Sequence, residues 1–130
     1  MKIVVSACLM GEGCKYNGLD NYLRELVEAC ERTGTEVLLV CPEVFGGLPT
    51  PRKPSEIVNG EVRTCEGVSV DREFRLGAQR ALDMCEQAGG PSEIAACILQ
   101  DRSPSCGAGR IYDGTFSGTL TAGNGVSSIC

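Results

Sequence analysis

The chain has 130 residues, nine of them cysteine and none histidine. This length fits one domain spanning residues 1–130, and the missing imidazole excludes Ser-His-Asp and Cys-His centres, Cys2His2 zinc sites and two-His-one-carboxylate iron sites. Twelve basic against 17 acidic residues give a net charge of -5, so the chain lacks the global basic footprint of a nucleic-acid binder, and with 5% aromatic residues and no Trp its core is aliphatic.

Met1-Lys2-Ile3-Val4-Val5 enters a short apolar run without the layout of a signal peptide. The longest apolar stretches, around Val37–Val40 and Ile94–Leu99, are too short to span a bilayer. The expected compartment is the cytoplasm, with no membrane partner. Thiols stay reduced there, and an odd cysteine count reads as metal binding, catalysis or burial.

Lys2–Ser6 reads as a buried strand that leads to Cys8. From Leu19 to Arg32 the apolar positions Leu19, Tyr22, Leu23, Leu26, Val27 and Cys30 recur every three or four residues before Gly34, which predicts an amphipathic helix. Glu36–Val40 predicts a second strand ending at Cys41-Pro42, and Gly46–Pro54 holds too many glycines and prolines for anything but an irregular loop. Asn59-Gly60 between Ile57-Val58 and Glu61-Val62-Arg63 marks a hairpin. Asp71 is the expected N-cap of a helix reaching Ala88, with Phe74, Ala78, Ala81, Leu82 and Cys85 inward. Ile94–Leu99 predicts a third strand, and beyond Ala108 only Ile111-Tyr112 suggests another. Continuous apolar strands alternating with amphipathic helices predict a small three-layer α/β sandwich, a mainly parallel sheet with helices on both faces. In such sheets ligands bind beyond the carboxyl ends of the strands.

The cysteines divide by position. Cys8, Cys41 and Cys106 each follow a predicted strand, so parallel strands would bring three thiols to one sheet edge, and Cys14 shares the loop of Cys8 as a fourth candidate. Cys30, Cys85 and Cys97 lie on helix faces or within a strand and read as small buried hydrophobes. Cys65 and Cys130 carry no assignment. No C-x2-C pair occurs, so neither a zinc ribbon nor a ferredoxin-type run is present; three thiolates on an iron-sulfur cluster would leave one iron open. Glu43 follows Cys41 by two residues and would stand beside such a metal. Ser103 and Ser105 flank Pro104 just before Cys106, where turn chemistry is the bland reading. Lys15, Arg52, Lys53, Arg102 and Arg110 fall in these loops, either as a locally positive mouth or as solvated charges. Gly11-Glu12-Gly13 lacks the third glycine of a dinucleotide fingerprint, and no phosphate-binding loop is present.

Ser6-Ala7-Cys8-Leu9, Cys14-Lys15-Tyr16-Asn17-Gly18, Cys41-Pro42-Glu43, Gly46-Gly47-Leu48 with Pro51-Arg52, Ser103-Pro104-Ser105-Cys106-Gly107 and Ile111-Tyr112-Asp113-Gly114-Thr115-Phe116 together resemble the thiouracil desulfidase (TudS-like) family, domain-of-unknown-function family 523. The resemblance implies an enzyme that converts a C=S of a thiouracil-type base into C=O with release of sulfide. It implies a 4Fe-4S cluster held by Cys8, Cys41 and Cys106, the fourth iron taking the substrate sulfur, with Cys14 as a rival for a ligand place. It makes Glu43 and Ser103 catalytic: Glu43 a general base that activates water, Ser103 an orienting hydroxyl. The expected substrate is a thiolated pyrimidine base or nucleoside, because the additional regions by which some relatives act on transfer RNA are not seen here. After Val126-Ser127-Ser128-Ile129-Cys130 the family pattern would continue with a further apolar segment. The alternative from the residues alone is a non-enzymatic metal or iron-sulfur binding module.

Overall fold

The computed structural model of the chain describes residues 2–127. Strands β1 (Lys2–Ser6), β2 (Glu36–Val40) and β5 (Ile94–Ile98) form a parallel sheet in the order β2-β1-β5. Because β1 is central, its alternating side chains serve opposite faces and both kinds are buried. Val4 packs with Val40, Ala81 and Cys85 beneath helix α3 (Asp71–Gln87), and Val5 packs with Cys8, Leu9 and, from helix α1 (Arg24–Thr33), Leu26. This is the predicted three-layer α/β architecture. The edge strand β5 is less covered than its apolar run suggests, with Ile98 exposed.

Helix α1 starts at Arg24, not at Leu19. The preceding N–H groups are committed elsewhere: Leu19 donates to Asn17 Oδ1 and Tyr22 to Asp20 Oδ1, while Asn21 and Leu23 donate to the carbonyls of Cys8 and Leu9. These Asx turns and cross-links spend the donors that a helix would need, and Leu19, Tyr22 and Leu23 are left exposed. Helix α3 also departs from expectation. Asp71 is its first residue rather than its cap, because Oδ1 accepts the Val62 N–H at 3.0 Å and Oδ2 pairs with Arg75 at 2.6 Å. Arg75 and then the Val62 N–H hold this carboxyl below its ordinary value, and the bond ties α3 to the neighbouring hairpin.

Leu82, expected inside, is exposed, and Gly77 takes a place in the buried row with Phe74, Ala81 and Cys85. The cause is a one-turn helix that sequence reading did not foresee, α2 (Pro42–Phe45), pressed against α3. A Cβ on Gly77 would lie 1.6 Å from the Pro42 carbonyl oxygen, and one on Gly46 would lie 1.9 Å from that of Glu73. Gly77→Ala is therefore expected to cost about 1–3 kcal/mol or more by overpacking, read by urea denaturation, and to displace α2. Unchanged stability would show that the two helices separate freely.

Two hairpins stand apart from the sheet. Strands β3 (Ser55–Val58) and β4 (Glu61–Thr64) are joined by the expected tight turn, with Asn59 and Gly60 both at positive φ (49° and 80°). Strands β6 (Arg110–Tyr112) and β7 (Leu120–Ala122) form the second; β7 was not foreseen, since its Gly-, Ser- and Thr-rich surroundings carry no apolar alternation. The Gly46–Pro54 segment is irregular, as predicted. No described helix is long and apolar enough to cross a membrane.

Candidate active site

The carboxyl ends of the three parallel strands open into a cavity of about 500 Å³. A 3-10 turn over Ala7–Met10 continues β1 and carries Cys8; Cys41 joins β2 to α2; Cys106 lies in the loop after β5. Cys8, Cys14, Cys41 and Cys106 all line the cavity, as do Glu43, Ser103 and Ser105. Parallel topology has thus brought together residues nearly a hundred positions apart in sequence.

The thiols differ in their surroundings. Contact with Cys14 is the main influence holding Cys8 below its ordinary thiol value, and Lys15 adds to it. For Cys14 the contact with Cys41 acts downward, but its hydrogen bond to Cys8 and burial outweigh it and push it up to about 11. Cys41 is raised, first by its hydrogen bond to Cys14 and then by burial. Burial pushes Cys106 up to about 11 against the opposing influence of the neighbouring Ser6 and Ser105 hydroxyls. Cys8 also approaches Gln100 Oε1 at 3.8 Å, and that oxygen accepts from Asn21 Nδ2 at 2.7 Å.

Elsewhere, Cys30 and Cys85 are buried as expected, and Cys65 is exposed. Cys97 is a correction: it is half-buried and disulfide-bonded, not a free hydrophobe. Cys130 lies outside the described residues.

Glu43 is fixed at both oxygens. Arg52 Nε donates to Oε1 at 3.1 Å and Ser105 Oγ donates to Oε2 at 2.9 Å, with the Arg52 and Glu43 side chains only 7% and 16% exposed. Arg52 further donates to the carbonyls of Cys14 (2.8 Å) and Pro49 (3.2 Å), so one guanidinium joins the carboxylate, a thiol-bearing loop and the proline-rich loop. Ser103 Oγ accepts the N–H groups of Ser105 and Cys106, both at 3.1 Å, and lies 2.9 Å from Ser105 Oγ. Ser105 Oγ also lies 3.7 Å from Cys106 Sγ, but its one hydroxyl proton goes to the carboxylate at 2.9 Å, the stronger acceptor, so Ser103 is the donor between the two serines. The result is a directed relay from Ser103 through Ser105 to Glu43, in which Ser103 also performs the turn chemistry of its bland reading.

The expected positive mouth is balanced. Lys15, Arg52 and Arg102 line the cavity, but so do Glu43, Glu56 and Asp101. Arg110 is exposed and pairs with Asp101 at 3.3 Å. Gln100, Asn21 and Glu56 were missed by sequence reading, because isolated polar residues at a strand end or in a hairpin look like solvated surface.

No group of three or more Cys, Asp or Glu side chains among the described residues is set to hold a single metal ion. A cubane cluster asks something different, one thiolate on each of several irons. Four cavity-lining thiols, more than the three such a cluster needs to leave one iron open, and no imidazole are a donor set that suits it.

A solved structure described as "[4Fe-4S]-dependent thiouracil desulfidase TudS (DUF523Vcz)" is similar at 43% identity and a TM-score of 0.86, covering 97% of this chain and 81% of its own. A protein of Bacillus subtilis (strain 168), described as "Uncharacterized protein YbbK", is 36% identical over 97% of this chain and 86% of its own length. The pattern that defines the 2-thiouracil desulfurase family matches residues 3–129, spanning all three strand-end loops and both hairpins, and the chain belongs to that family.

Proposed function

We propose that this chain is a 4Fe-4S-dependent thiouracil desulfidase that hydrolyses a thiolated pyrimidine: C=S and water give C=O and hydrogen sulfide, with no net oxidation or reduction. The observation that carries this reading is the meeting of Cys8, Cys41, Cys106 and Glu43 in one cavity, in a member of the 2-thiouracil desulfurase family. The solved relative's description as a thiouracil desulfidase supports the same reaction and cofactor.

Cys8, Cys41 and Cys106 would hold the cluster. When bound, it supplies a Lewis-acidic iron suited to a soft thiocarbonyl sulfur, which makes the ring carbon electrophilic. Glu43 accepts a proton from the attacking water and returns it toward the departing sulfur. Arg52 and Ser105 fix the carboxylate's orientation for that transfer. Ser103 acts through Ser105, keeping the Ser105 proton directed at Glu43. With no histidine in the chain, a carboxylate beside the thiols is the proton carrier at hand.

Anaerobic purification of the full chain with its cluster, followed by incubation with 4-thiouracil, tests metal, substrate and reaction together. The thiocarbonyl absorbance should bleach as sulfide appears in equal amount. A colourless zinc-bearing protein that leaves 4-thiouracil intact would instead establish the non-enzymatic binding module.

A further inference from the structure

The chemistry above makes no use of the segment Ile111–Phe116, although Tyr112 and the more distal Gly118 line the same cavity together with Glu56. Glu56 belongs to β3, the partner hairpin, and is only 8% exposed. Its Oε1 accepts the main-chain N–H of Gly114 at 2.9 Å and that of Phe116 at 3.3 Å. Gly114 comes so close to β3 that a Cβ there would lie 2.6 Å from the Ile57 carbonyl oxygen. The β6–β7 turn is therefore clasped onto β3 through one oxygen of one carboxylate.

The second oxygen has no such duty. Among the described residues Glu56 Oε2 makes no hydrogen bond, and neither does the Tyr112 hydroxyl. Ser127 Oγ is the buried polar side-chain atom without a partner among the described residues, so Glu56 Oε2 is not sealed from solvent; it is an acceptor left available on a residue of the cavity wall. A carboxylate oxygen can only accept; a phenol hydroxyl can donate. Together they complement a ring edge that presents an N–H beside a C=O. Thiouracils have such an edge: N3–H lies between C2 and C4, one bearing oxygen and the other sulfur.

We propose that Glu56 and Tyr112 are the residues that recognise the pyrimidine, Glu56 Oε2 accepting the ring N3–H and the Tyr112 hydroxyl donating to the remaining carbonyl. This inference rests on the desulfidase reading and deepens it. It assigns the cavity two parts, the reacting groups at the strand ends and a lactam-reading wall on the hairpins. It also predicts a substrate class: rings with a free N–H beside the thiocarbonyl are taken, and rings methylated there are refused.

The test uses the cluster-loaded enzyme with 4-thiouracil and 3-methyl-4-thiouracil. The wild type should turn over the methylated ring with kcat/KM lower by about 100-fold or more, as expected when a site built to bond an N–H meets a ring without one. Glu56→Gln keeps an amide oxygen for the Gly114 and Phe116 N–H groups but replaces the free acceptor by a donor. It should raise KM for 4-thiouracil about tenfold with kcat changed by less than about threefold, and erase most of the discrimination. The thermal shift produced by the product uracil should shrink in the same variant, a readout that a merely structural glutamate would leave alone. Tyr112→Phe leaves the clasp untouched and should raise KM about fivefold, the worth of one hydrogen bond; it decides the matter if Glu56→Gln fails to load its cluster. Equal turnover of the two rings by the wild type, or variants with unaltered KM and uracil shift, would overturn the recognition role and leave the desulfidase reading standing. No sulfide from 4-thiouracil with the wild type would overturn both.

Discussion

Glu43→Gln should lower sulfide release from 4-thiouracil by about 10²–10⁴-fold, the range that a positioned general base contributes, while the protein still purifies with its cluster. The substitution keeps the volume and one accepting oxygen, which can stay with Arg52, while the new amide N–H group faces Ser105 Oγ and turns that bond round, so it removes proton acceptance together with one of the two orienting bonds. The loss should fall on kcat, because Glu43 acts on water and not on the ring that sets KM. Iron content and visible absorbance, measured on the same sample, separate chemistry from assembly. A Glu43→Gln enzyme of wild-type activity and full iron content would transfer the base role to another residue, and Glu56 would then be the carboxylate to examine.

Cys106→Ala is expected to abolish the cluster and with it all desulfidation, whereas Cys14→Ala should retain bound iron. Both thiols line the cavity, but their settings differ. Cys106 is buried beside Ser6 and Ser105 on the loop that also orients Glu43, so a metal bound there is coupled to the reacting carboxylate. Cys14 lies between Cys8 and Cys41 in the hydrogen-bond sequence, in contact with both. Because Cys106 and Cys41 carry raised thiol values, loading the cluster must drive off protons that the empty site retains. That deprotonation is a cost that the iron–thiolate bond must outweigh, and removing the ligand forfeits that bond. Iron and acid-labile sulfide analysis of the two purified variants is the check, and cluster loss in Cys14→Ala with retention in Cys106→Ala would rewrite the ligand set.

Much of the fold was legible because period and punctuation agreed. The bounds of β1 and β2 follow from short β-branched runs closed by a cysteine turn, and the Asn59-Gly60 hairpin follows from a turn that demands positive φ twice. The errors share one physical origin, tertiary bonds that overrode local pattern. The apolar spacing from Leu19 to Leu23 was genuine, but the carbonyls of Cys8 and Leu9 claimed its donors. Asp71 had the chemistry of a cap, yet the Val62 N–H across the hairpin was the better partner. Leu82 lost its buried place to Gly77 because α2, a single turn begun by a proline, lies too close for any side chain.

The lining of the cavity was legible in its thiols and in Glu43, since strand ends in a parallel sheet converge whatever fills the loops. Ser105 was in view only as a turn residue beside Ser103, and nothing local distinguishes the serine that touches the carboxylate from the one that touches the main chain. Glu56 was invisible for a different reason. Its two duties depend on a turn nearly sixty residues away, and no sequence window spans that distance.

The close seating of α2 on α3 bears on how such a protein can change over time. Cys41 and Glu43 belong to the same rigid unit, bolted to the core through Gly46 and Gly77, so the spacing between the proposed ligand and the proposed base is inherited from the interior. The lactam-reading wall is mounted on hairpins that share no strand pairing with the sheet and meet α3 through the Asp71–Val62 bond and the packing of Val62 on Phe74. Substitutions on the cavity side of the hairpins, away from Val62, can therefore retune which ring is admitted with little effect on the seating of α2, while Gly46 and Gly77 beneath α2 are closed to any side chain.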